Sequence, residues 1–112
     1  MNPAVILGII GAALALVPIV YELVLLTIDF IKKLKKKKDN KVIAMQIADV
    51  FAGIANNPSF YRGKISNLKK EGVVCAVVDE NNKVAPDDIT FYDDVDSAVI
   101  ETISQNKGIY IV

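Results

Sequence analysis

Five aspartates, Asp87, Asp88, Asp93, Asp94 and Asp96, make the densest group of possible oxygen ligands in the chain. A calcium loop spaces its oxygens on a ladder, turns on a glycine and closes with a distal glutamate, and this stretch has neither the ladder nor the glycine. Aspartates just ahead of a helix more commonly cap it and favour its positive end. The chain has no histidine, which removes the usual general base, zinc ligand and neutral-pH switch together. Its one cysteine, Cys75, lies in the run VVCAVV, where a thiol behaves as a small buried hydrophobe and has no second cysteine for a disulfide. Gly63-Lys64 lacks the spacing and the preceding strand of a phosphate-binding loop. No catalytic, cofactor-binding or metal-binding residue is assigned, no cofactor is expected, and the expectation is a non-enzymatic protein.

The remaining chemistry is electrostatic. Acids and bases balance at 13 each, but they are segregated. Residues 32–70 carry eleven Lys or Arg against Asp39 and Asp49, whereas residues 72–112 carry eight acids against Lys83 and Lys107. Seven of the bases, Lys32, Lys33, Lys35, Lys36, Lys37, Lys38 and Lys41, follow directly on the most apolar stretch of the chain. Such a girdle suits a bilayer surface with anionic headgroups, each lysine gaining on the order of 1 kcal/mol there. Nucleic acid is the less favoured partner, because no aromatic residues interleave the lysines and the far end is acidic.

That apolar stretch, Ala4 to Ile28, contains Glu22 as its only charge. As a helix its 25 residues would extend roughly 37 Å, enough to cross a bilayer. The reading is one transmembrane helix over residues 1–31, a basic juxtamembrane stalk over 32–41, and a small soluble domain over 42–112. Lysines after the span place the amino terminus outside and the domain on the cytoplasmic side, or on the interior side of a viral membrane. Along that helix Gly8, Gly11, Ala12 and Ala15 form a stripe of small residues that lets helices approach closely, and Glu22 lies on the same side. Pro18 would kink it.

In the soluble part, Asp39 or Asn40 caps a helix from about Lys41 to Ala55, with Ile43, Ile47, Val50, Phe51 and Ile54 inward. Pro58 opens a second helix with Tyr61, Ile65 and Leu68 inside, ending at Gly72. Val73–Val78 reads as a strand covered on both faces, Asp79–Lys83 as a turn, and Ile89–Tyr92 as another strand. A helix carrying Val95, Val99 and Ile103 on one side closes at Asn106-Lys107-Gly108. Ile109, Tyr110, Ile111 and Val112 form a final strand, paired within the domain or docked on a partner. The fold class is therefore a membrane-anchored α+β protein with about three helices and a small β-sheet.

Together these features point to a single-pass membrane subunit that anchors and docks a larger assembly, in a membrane-bearing viral particle or an envelope complex. Its partners would be the bilayer and other membrane or assembly subunits, in a homo- or hetero-oligomer. Two alternatives remain open: an oligomeric channel or holin-like protein lined by Glu22, and a membrane-tethered nucleic-acid binder whose helix–helix–strand pattern is analogous to a winged helix.

Overall fold

A computed structural model describes Ile6, Gly8, Ile10 and residues 20–55 and 71–112. Its centre is the run VVCAVV. β-Branched residues favour extended backbone, and all six side chains of this strand, β3 (Val73–Val78), are buried, as its unbroken apolarity requires. Four further strands flank it: β1 (Tyr21–Glu22), β2 (Lys41–Gln46), β4 (Ile89–Tyr92) and β5 (Ile109–Ile111). The order across the five-stranded sheet is β1-β4-β3-β2-β5. β1 runs parallel to β4, and every other pairing is antiparallel.

Alternation along the strands divides the core into two layers. On the first face Val42, Ala44, Val73, Cys75, Val77 and Tyr92 meet helices α1 (Ile28–Lys38) and α3 (Ser97–Gln105) through Ile31, Val99 and Ile103. On the second, Ile43, Met45, Val74, Ala76, Val78, Ile89 and Phe91 meet Ile47 and Val50 of α2 (Ile47–Ala55), together with Ile6 and Ile10. A small α+β domain is present, with five strands and three helices longer than one turn among the described residues, and it draws β1 and α1 from the part of the chain before residue 42.

The opening third differs from the continuous helix expected over 1–31. Ile6, Gly8 and Ile10 are helical, and Ile6 and Ile10 are fully buried in the second layer of the core. Tyr21 and Glu22 are a strand, in register with Phe91 and Tyr92. Leu26 is 0% exposed and bridges Val95: its N–H donates to the Asp94 carbonyl at 2.8 Å, and its carbonyl accepts from the Asp96 N–H at 2.9 Å. No helix among the described residues is long and apolar enough to cross a membrane. The sheet supplies the reason: β4 would otherwise leave an unpaired edge, and the apolar run satisfies it. Of the described apolar residues of the run, Ile6, Ile10 and Leu26 are buried in the protein interior.

The stalk also differs. α1 does not continue an earlier helix. Thr27 caps it, Oγ1 accepting the Phe30 N–H at 3.1 Å, with Asp29 in the first turn and Lys35–Lys38 in the last, where each charge suits the helix dipole. Asp39, expected to start the next helix, instead ends this one in a left-handed conformation (φ 53°), its N–H donating to the Lys35 carbonyl. Lys41–Gln46 is then strand rather than helix. The spacing of Ile43 and Ile47 fits a helix, but a helix would leave Val42, Ala44 and Met45 on other sides, while a strand covered on both faces buries them all. The Pro58 helix, with Tyr61, Ile65 and Leu68, lies outside the described residues.

Gly72 leads into β3 for a steric reason. It has φ +102°, and a Cβ there would lie 2.1 Å from the Tyr92 carbonyl oxygen.

Candidate functional site

Of the aspartates singled out for chemistry, two have structural roles in the fold, and a third aspartate, Asp79, serves a turn. Asp96 is the N-cap of α3, its Oδ1 accepting the Ala98 N–H at 3.1 Å. Asp79 organises the β3–β4 turn by accepting the N–H groups of Asn81 and Lys83. Asp88 forms an ion pair with Lys38 at 3.1 Å, tying the end of α1 to the approach to β4. At that exposure the pair contributes about 1 kcal/mol or less. Among the described residues no three acidic or cysteine side chains are grouped to hold a metal. Cys75 is buried in the sheet, and desolvation pushes its thiol up to about 12, so it stays protonated and unreactive at neutral pH.

A cleft of about 270 Å³ opens where the end of α1 meets the β3–β4 turn. Lys35 and Lys41 line it with Asp39, Asp79 and Glu80, so two positive charges meet three negative ones and no cationic surplus is left for an anion.

The helix-packing set is divided. Gly8 is exposed, and a Cβ on it would meet nothing within 4 Å. Gly11, Ala12 and Ala15 lie outside the described residues, as does Pro18. Glu22 is an exposed residue of an edge strand, not part of a helical stripe with the small residues.

The lysines are brought together as a surface. Ile31 is buried under α1; counting 100° per residue from it, Lys32, Lys33, Lys36 and Lys37 fall on the opposite half of the helix, in an arc of about 140°. All four are exposed. Lys35 and Lys38 lie nearer the sheet, at the cleft and against Asp88 respectively. Lys41 begins β2 and is exposed.

Directly before α1 is a feature that the sequence hid within its apolar run. Val20, Leu23, Val24 and Leu25 are exposed, Leu23 completely, although Leu26 beside them is fully buried. Leu23, Val24 and Leu25 form the turn from β1 to the Leu26 bridge, and Val20 lies just before β1. Their hydropathy alone had suggested a lipid-spanning helix; the signal that separates them from their neighbours is pairing with β4, which sequence periodicity does not reveal.

The carboxy-terminal residues lie on the opposite edge of the sheet. Ile109, Tyr110 and Ile111 align with Met45, Ala44 and Ile43 of β2. Ile109 packs on one face and Tyr110 and Val112 on the other, while Ile111 is 41% exposed.

Protein-family models, curated proteins and solved structures were compared with the chain. None matches.

Proposed function

We propose that this chain is a non-enzymatic docking subunit held on an anionic bilayer by the Leu23–Leu25 turn, with Val20 beside it, and the outward lysines of α1, with the rest of the domain serving a larger assembly. The observation that carries this reading is the direct succession of an exposed apolar turn and a cationic helix. Exposed leucines and valines gain by leaving water, about 1.5–3 kcal/mol for each one fully covered. Four lysines beside an anionic leaflet add about 1 kcal/mol each. One apolar turn gives marginal attachment and a polybasic patch gives marginal attachment, but the two combined hold a protein at a membrane surface. The strand order adds a useful separation. The turn follows β1 at one edge, and β5 is at the other edge, four strand spacings or roughly 19 Å away, so a bilayer and a partner can be engaged at once.

The test is co-flotation of the full chain with vesicles of phosphatidylcholine alone or containing phosphatidylserine. The wild type is expected to float with the anionic vesicles, and Lys32→Gln, Lys33→Gln, Lys36→Gln and Lys37→Gln together to weaken that binding by about a thousandfold. Equal binding of the wild type to neutral and anionic vesicles, or none to either, would overturn the proposal.

A further inference from the structure

The free edge of β5 has a hydrogen-bonding phase that can be worked out from its pairing with β2. Val42 and Val112 exchange both backbone bonds, at 3.3 and 3.0 Å. In an antiparallel ladder such pairs alternate, so Tyr110 also turns its N–H and carbonyl toward β2, and Ile109 and Ile111 turn theirs away from it. Among the described residues no strand pairs with this edge, which presents outward the Ile111 N–H, the Ile111 carbonyl and the Ile109 carbonyl. The Ile109 N–H makes only a 3.4 Å bond to the Asn106 carbonyl. No charged residue, proline or glycine lies within Ile109–Ile111 to discourage edge pairing.

This arrangement is self-complementary. We infer that β5 pairs antiparallel with β5 of a second copy of this chain, on a twofold axis through Tyr110. The inference names the partner for the assembly role proposed above and rests on that role. In this register Ile111 lies opposite the partner's Ile109, and the Ile111 N–H donates to the Ile109 carbonyl in both directions. Exchange of the weak Ile109–Asn106 bond adds two more donors. The exposed Ile111 side chain meets an isoleucine on the second face, and the two Tyr110 side chains meet on the first as a close non-hydrogen-bonded pair. The result is one continuous ten-stranded sheet.

The charge distribution selects a second copy over an unrelated strand. A twofold axis perpendicular to the sheet keeps the first faces of both copies on one side, so both α1 lysine arcs are presented together. Two cationic helices on one platform bind an anionic surface with the gain of linked sites, whereas an unrelated strand at β5 adds no second lysine arc.

The experiment introduces Tyr110→Cys into the full chain in mild detergent under gentle oxidation. Cys75 is buried and does not compete. An intermolecular disulfide dimer is expected, and Ile111→Pro in the same background should abolish it. That proline removes the outward N–H and leaves every β2–β5 bond intact. Ser104→Cys, exposed on α3, serves as the control and should remain monomeric. Since Tyr110 packs on the core, the wild type supplies a second readout by hydrogen exchange. The Ile111 amide should exchange about tenfold more slowly at concentrations where nine-tenths of the chains are paired than at high dilution. No Tyr110→Cys dimer, a dimer that survives Ile111→Pro, or Ile111 exchange independent of concentration would overturn the inference. Vesicle flotation is scored separately, so loss of bilayer binding and loss of pairing are distinguishable.

Discussion

Leu23 and Leu26 are the same residue type one helical turn apart in sequence, and their surroundings differ completely. Leu26 is 0% exposed, packed in the layer that includes Ile31, Val99 and Ile103; Leu23 is 100% exposed. Leu→Ala in a packed core costs about 2–5 kcal/mol, from lost transfer energy and the cavity left behind. The same change at an open surface costs about 0.5 kcal/mol or less. The backbone bonds of Leu26 to Asp94 and Asp96 survive its truncation, so the difference reports side-chain packing alone. In urea, with a slope of about 1–3 kcal/mol per molar, Leu26→Ala should lower the unfolding midpoint by about 1–3 M and Leu23→Ala should leave it unchanged. A helix crossing a bilayer would place both leucines outside the folded domain, and the two variants would then unfold alike. Equal midpoints by tryptophan-free probes such as tyrosine fluorescence or circular dichroism would therefore refute the placement of the apolar run in the sheet.

Two other outcomes follow from the interior. Gly72→Ala should destabilise by about 3 kcal/mol or more, because its Cβ would collide with the Tyr92 carbonyl at a backbone conformation unsuited to alanine; thermal denaturation measures it. Stability should also fall at alkaline pH. The Cys75 thiol is raised by burial from its ordinary 9.0 to about 12, so above about pH 9 the unfolded chain loses this proton while the folded chain keeps it. The contribution is fully present below pH 9 and declines by about 1.4 kcal/mol per pH unit up to about pH 12. Burial likewise raises the Tyr92 phenol, in the same direction. Cys75→Ala should flatten the part of the profile that begins near pH 9, as followed by denaturant titration at each pH.

Sequence pattern sufficed where one physical rule dominates. VVCAVV could only be a strand covered on both sides, and β4 was evident from its alternation. α3 carried its own capping aspartate and its Asn-Lys-Gly stop, where Lys107 and Gly108 adopt positive φ and the Gly108 N–H returns to the Ile103 carbonyl at 2.8 Å. Two segments were not legible, for different reasons. Lys41–Gln46 satisfies both a helical and an extended pattern, and only its position between β3 and β5 selects the strand. Val20–Ile31 carries only Glu22 as a charge before Asp29, so hydropathy could not distinguish lipid from protein surroundings, nor the outward Leu23 from the inward Leu26. The lysine set was recognisable by composition, but its division into an outward arc and two side chains at the domain margin depends on which side of α1 is buried.

The strand order has a consequence for how the chain is made. β2 leaves the ribosome before β3, with 26 residues between them, and its other neighbour, β5, follows only near Val112. Until β3 emerges KVIAMQ has no neighbour on either edge, and VVCAVV must then find it across those 26 residues. Slow assembly and transient stickiness are inherent in such non-local pairing. A nascent chain with this topology would be a natural client for a holding chaperone until its closing strand arrives.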